Sequence, residues 1–296
     1  VRWRKVEGEG HVEDLRGRRT GPMLAAGGGI GGLLILLLSL FLGGGGGGGN
    51  GSGGGIDIRD VINQFPGAVP SAPEGQRGPP GAPDPDAELF DFVEFLSVDI
   101  QEMWQAAFAE SGRQYRLTEV NVFSDSVETG CGGATAAVGP FYCPADGEVY
   151  IDLGFYRELA SRFDAPGDFA QAYVLAHEVG HHVQNLLGIS DEVHRAQQGE
   201  SRDEANALSV RLELQADCMA GVWAHSVRSE LDPGDIDEGL QAASAVGDDR
   251  IQAQAGVEVE PETWTHGSAE QRTRWFTRGY ESGNVDDCDT FAVDDV

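Results

Sequence analysis

The stretch VLAHEVGHHVQNLLG at residues 174–188 constrains this chain more than any other, because it sets three histidines and a glutamate inside an otherwise apolar run. Its apolar positions recur at helical spacing, and Gly188 is placed to end a helix in the left-handed conformation that other residues avoid. Asp168 followed three residues later by Gln171 has the form of a capping box, so one helix is expected over 168–188. So apolar a helix is buried, and buried imidazoles and carboxylates are costly unless each is compensated. The fold must therefore build partners around positions 177, 178 and 181.

His177 and His181 stand four apart, so their rings project from one helix face about one turn from each other. Two imidazole nitrogens at that spacing can share a zinc ion. Glu178, rotated by about 100° from His177, can reach a water in an open coordination position and act as general base. This is the H-E-x-x-H arrangement of zinc hydrolases. A downstream helix, expected over 202–228, carries SVRLELQADCMAGVWA, in which Glu213 and Asp217 are again four apart. A catalytic zinc takes three protein ligands, and a carboxylate completes the two histidines. Glu213 is assigned as that ligand. Asp217, one turn on, is placed to accept the other ring N–H of a ligating histidine. Ala216, Ala220, Gly221 and Ala224 are small enough to let helices approach closely. A metzincin site is excluded, because Gln184 and Leu187 occupy the positions of its glycine and third histidine. His182 points away from His181 and serves either packing or support of the site.

Elsewhere, Leu89, Phe92, Val93, Leu96, Ile100, Met103, Trp104 and Ala107 repeat at three and four and predict an amphipathic helix. EVNVF at 119–123 and EVYIDL at 148–153 read as strands, separated by a Gly-rich segment. Shorter helical patterns cover 235–246 and 268–282. The expectation is an α+β domain over 86–296, mainly helical with a small sheet.

Four cysteines, 131, 143, 218 and 288, allow three pairings. Proximity favours Cys131 with Cys143, leaving Cys218 with Cys288. A zinc site made of all four would need close CxxC-like pairs, and none occur. Ahead of the domain, residues 43–55 contain eleven glycines, and a proline-rich stretch follows, so 43–85 reads as a disordered linker. Residues 23–42 are twenty residues without a charge, long enough to cross a bilayer as a helix. A cleaved signal peptide is the rival, but its basic region would be unusually long and no Ala-x-Ala-type site follows. The basic residues at 1–22 then place the N-terminus in the cytoplasm, with a single-pass protein in the cell membrane and the domain outside. Residues 43–296 carry a net charge of −31. Such a surface repels phosphate backbones and argues against nucleic-acid binding.

The segments HEVGHHVQNLLG, RLELQADCMAGVWA, GPFYCPADGEVYIDLGF and THGSAEQRTRWFTRGYESG resemble the neutral zinc metallopeptidase family of bacterial membrane-anchored proteins. The resemblance spans about residues 86–296 and the anchor-plus-linker layout. It implies a zincin-like domain with one catalytic zinc held by His177, His181 and Glu213, with Glu178 catalytic and a protein or peptide as substrate. The oxyanion of peptide hydrolysis needs a further donor. His266 in WTHGSAEQR is the first candidate, with Tyr280 and His225 behind it; an ordinary turn residue is the alternative for His266. Peptide is expected to add a strand along the edge near Val149 and Leu153 or the Gly-rich segment before it. A non-peptidase zinc hydrolase would have a closed pocket instead, and an idle scaffold or chaperone would lack a ligand or the base.

Overall fold

The apolar repeat between positions 87 and 110 forms a helix that buries Phe92, Leu96, Ile100, Trp104 and Phe108. It is α1 (Ala87–Glu110) of a computed structural model that describes residues 1–6, 11–17, 83–161 and 163–296. The chain is mainly helical with small sheets. A short β1 (Val12–Asp14) precedes α1. After it come β2 (Val120–Phe123), β3 (Ser126–Thr129), β4 (Gly132–Thr135), β5 (Phe141–Cys143) and β6 (Glu148–Asp152). The helical part comprises α2 (Gly154–Ser161), α3 (Asp168–Leu187), α4 (Ile189–Gln197), α5 (Arg202–Ser226), α6 (Asp235–Ala245), α7 (Asp248–Gln254) and α8 (Ala269–Ser282).

Four strands form one sheet in the order β1-β2-β6-β5, and β3 and β4 form a separate hairpin. β1, β2 and β6 run parallel, and β5 pairs antiparallel with β6, setting Phe141 beside Tyr150 and Tyr142 beside Val149. The strand expected at the edge, 149–153, is therefore interior, and β5 is the edge. Strand order is a tertiary property that the local pattern does not carry. α3 packs among α1, α5 and α6, and its apolar residues with those of α1, β2 and β6 make the main core.

The start of α3 departs from the sequence reading. α3 has no capping box: its N-cap is Gly167, and the Phe169 N–H donates to Glu238 Oε2 of α6 at 3.1 Å. Gly167 has φ 124°, a conformation in which other residues are strained, and the Glu238 carboxylate lies where its Cβ would be. Capping boxes occur instead at Ser201 with Glu204 and at Ser268 with Gln271, which start α5 and α8. α5 and α8 also approach at backbone contact. A Cβ on Gly221 would overlap the Phe276 carbonyl, and one on Gly279 the Cys218 carbonyl. Ala216 faces the other way, onto Gly180 of α3, where an added Cβ would meet its Cα at 3.2 Å. Cys131 is joined to Cys143 and Cys218 to Cys288, which ties α5 to the chain's last turn.

The expectation of a single-pass membrane protein with a cytoplasmic N-terminus is corrected. Among the described residues no helix is long and apolar enough to cross a membrane. The run at 23–42 and the linker stretch 43–82 lie outside the described residues. Residues 11–17, expected across a bilayer from the domain, are part of it: β1 pairs with β2, and the Leu15 N–H donates to the Val122 carbonyl at 2.8 Å. Arg16 is buried against Phe90 between Asp14 and Asp84, and Trp3 packs on Phe92.

Deleting residues 1–17 should therefore expose β2 as an edge and lower stability by about 2–4 kcal/mol, the sum of a few ladder hydrogen bonds and partly buried apolar contacts. Urea denaturation checks this. An unchanged midpoint would mean that the segment does not dock.

Candidate metal centre

Three helices converge on one buried cluster. α3 presents His177 and His181 one turn apart, with their rings edge to face at 4.8 Å. α5 presents Glu213, whose Oε2 lies 3.2 Å from His177 Nε2 and whose Oε1 lies 3.4 Å from His181 Nε2. All three side chains are buried. Ligand atoms at about 2.05 Å from a tetrahedral zinc stand roughly 3.3 Å apart, so these separations suit one shared ion. The backs of both rings are also engaged. His177 Nδ1 lies 2.9 Å from Asp217 Oδ1, and His181 Nδ1 lies 2.9 Å from Gln184 Oε1. Those acceptors hold a proton on each Nδ1 and leave the Nε2 lone pairs facing inward, as metal ligation requires. Gln184 is itself fixed, donating to the Leu212 carbonyl at 2.7 Å and to Gln215 Oε1 at 3.1 Å. Gln215 in turn donates to the Cys288 carbonyl at 3.1 Å.

Asp217 is fully buried and accepts from three residues: Tyr173 Oη at 2.6 Å, His177 Nδ1, and the Arg272 guanidinium of α8, bidentate through Nε and Nη2 at 2.8 and 2.9 Å. Burial pushes the Asp217 carboxyl up, but Arg272 and then His177 outweigh it and hold it at about 2. Burial likewise opposes ionisation of Glu213, yet His181, His177 and His266 keep it well below the usual carboxylate range. Glu178 behaves differently. Burial, the largest effect, raises it against the pull of His177 and His181, and the Tyr142 backbone N–H faces its carboxylate. A raised carboxyl beside the ligand cluster is suited to take and return a proton. In all, buried Glu178, Glu213 and Asp217 have one buried guanidinium among them, Arg272, while Asp248 pairs with His266. A dication among the Nε2 atoms and Glu213 offsets that excess of negative charge.

His266 lines the same cleft and is buried. Asp248, at the start of α7, accepts the backbone N–H groups of Thr265, His266 and Gly267 through Oδ2 at 2.8, 2.7 and 3.1 Å. Its Oδ1 lies 3.3 Å from His266 Nδ1. Burial opposes protonation of His266, but Asp248 raises it above the ordinary imidazole range. His266 Nε2 has no hydrogen-bond partner among the described residues. His225 and Tyr280, the other donor candidates, are elsewhere: His225 Nδ1 bonds the Tyr280 carbonyl at 2.7 Å, and His225 follows Glu213 by about 18 Å of helix. His182 is a support. Its Nε2–H donates to the Arg116 carbonyl at 2.6 Å, and its Nδ1 accepts from Tyr142 Oη at 3.1 Å, which fastens edge strand β5 to α3.

Arg272, Tyr173 and Asp248 were not singled out in the sequence. Arg272 had a signal, since it shares a helical stripe with Trp275, Phe276 and Gly279, where a cation demands a buried partner. Tyr173 is one turn before His177 on the same face. Asp248 had none, because its role depends on the return of a loop 17 to 19 residues later.

The chain matches the family model described as "Putative neutral zinc metallopeptidase" over residues 1–291. It is 48% identical over 206 residues to the uncharacterized protein YpfJ of Escherichia coli K12, covering 69% of this chain and 72% of that one. It is 50% identical over 195 residues to the uncharacterized protein Rv2575 of Mycobacterium tuberculosis H37Rv, covering 62% of this chain and 65% of that one. No solved structure matches. The chain belongs to the neutral zinc metallopeptidase family, and the family implies zinc.

Burial holds His182 neutral down to about pH 4, below its ordinary 6.5. Its folded pKa is depressed, so the unfolded chain binds the extra proton first and stability falls as pH drops from 6.5 towards 4. The loss is about 3 kcal/mol. His182→Gln should flatten that part of the stability profile measured by urea denaturation between pH 7 and 4; an unchanged slope would mean that His182 is not held neutral.

Proposed function

We propose that this member of the family is a zinc-dependent endopeptidase. The observation that carries the reading is the convergence of His177 Nε2, His181 Nε2 and the Glu213 carboxylate, all within 4.8 Å of one another, with Glu178 on the adjoining helix position. These three residues would hold the ion, and Asp217 and Gln184 would orient the two rings. When bound, zinc supplies Lewis-acid polarisation of the scissile carbonyl and acidifies water.

The chain's own groups do the remaining work. Glu178, with its carboxyl raised by burial, takes the proton of the attacking water and passes it to the leaving amine. His266, whose protonation Asp248 favours, directs its Nε2–H at the oxyanion that develops on the carbonyl. Arg272 keeps Asp217 ionised and thereby keeps the His177 tautomer fixed. An extended peptide lies along β5, whose residues Phe141 and Tyr142 line the cleft beside Glu178. An open cleft next to the edge strand β5 favours a peptide over a small substrate that needs a closed pocket.

Glu178→Gln should retain stoichiometric zinc while peptide cleavage falls by about 10²- to 10⁴-fold. Zinc loss in that variant would assign Glu178 to the ligand set instead. Glu213→Ala should lose zinc and cleavage together, measured by metal analysis after dialysis; a variant with wild-type zinc affinity would remove Glu213 from the ligand set. Asp217→Asn should weaken zinc binding by about 10- to 100-fold, and no change in affinity would reduce Asp217 to a structural partner of Arg272.

A further inference from the structure

We infer that Gln215, anchored on the Cys288 carbonyl, is a positioning residue of the metal centre and acts through Gln184 to fix the proton of His181 on Nδ1. The inference rests on the zinc reading of His177, His181 and Glu213 and concerns what holds the second of the two rings. A backbone carbonyl can only accept a hydrogen bond. Gln215 must therefore present its NH2 to the Cys288 carbonyl, 3.1 Å away, which turns its Oε1 towards Gln184. Gln184 in turn gives its NH2 to Gln215 Oε1 at 3.1 Å and to the Leu212 carbonyl at 2.7 Å, so its own Oε1 faces His181 Nδ1 at 2.9 Å. An acceptor there keeps the proton on Nδ1 and the Nε2 lone pair free for a metal. A reversed Gln184 would favour the tautomer with its proton on Nε2, which cannot ligate through that atom. Both glutamines are buried, so each lost partner leaves a polar group unsatisfied.

The start of this relay is itself held in place. Cys288 is cross-linked to Cys218 of α5, and the residues after it are clamped to the same helix. Arg211 donates to the Thr290, Val293 and Asp294 carbonyls, and Thr290 Oγ1 donates to the Arg211 carbonyl at 2.7 Å. The segment 288–294 therefore grips α5 at positions 211, 215 and 218, interleaved with Glu213 and Asp217, which meet the two histidines. The two rings are thus backed in different ways. His177 is held by a carboxylate of α5 directly, and His181 by two amides whose direction is set from outside α3 and α5.

Zinc affinity of the full chain, measured by competition with a chelating indicator, tests this, with urea denaturation beside it to report stability separately. Methionine matches glutamine in length and removes both hydrogen-bonding groups. Gln184→Met should weaken zinc binding by about 10- to 100-fold, and Gln215→Met by about 3- to 10-fold, because the Leu212 carbonyl still orients Gln184. In the Gln184→Met background, Gln215→Met should change zinc affinity by less than about 2-fold, since a residue that acts through another then has nothing to act on. Should Gln215→Met fail to fold, the paired Cys218→Ala and Cys288→Ala substitution decides by the same comparison: a loss of about 3-fold or more in the wild-type background, and none beside Gln184→Met. Zinc affinity that stays constant while the urea midpoint falls, or a loss of equal size in both backgrounds, overturns the inference and leaves the zinc reading intact. A wild-type chain that takes up no zinc overturns both.

Discussion

The Asp217 carboxylate, fully buried and gripped by Arg272, is the interaction on which the centre depends. It joins three helices at one point: α5 supplies the carboxylate, α8 the guanidinium, and α3 both Tyr173 and His177. An unpaired carboxylate there would cost several kcal/mol, so neither partner can be lost alone. Its position is made possible by Gly221 and Gly279, which let α5 and α8 meet at backbone contact. The same approach places Cys218 where it reaches Cys288. Small residues, a buried ion pair and a cross-link thus act on one seam, and the seam sets how His177 is presented.

Edge strand β5 is held by a second and separate set of contacts. Tyr142 Oη receives the Asn185 amide at 2.7 Å and faces His182, both from the helix that carries the ligand histidines. Edge strand β5 and the paired histidines are therefore fixed to one rigid element.

Much of this site was legible because helical periodicity alone places His177 with His181 and Glu213 with Asp217. No tertiary knowledge is needed to see which pairs share a face. The long helices were legible for the same reason, with the C-terminus of α3 marked by Gly188 at φ 81°. What escaped depends on which elements meet. Arg272 and Asp248 acquire their roles only when α8 and the 265–267 loop return to α5 and α7. The buried position of β6 follows from β5 folding back beside it, and the start of α3 from Glu238 arriving from α6. The short helices α2 and α4 carry too little periodicity to stand out. The apolar length at 23–42 was read as a bilayer span, whereas residues 11–17 ahead of it belong to the domain's own sheet.

The central claim is the composition of the ion's protein shell, and X-ray absorption at the zinc edge of the loaded full chain tests it most directly. The account predicts two imidazole nitrogens and oxygen donors at about 2.0–2.2 Å, with no sulfur. A sulfur shell near 2.3 Å, or a spectrum that is unchanged by Glu213→Ala at full zinc occupancy, would contradict it.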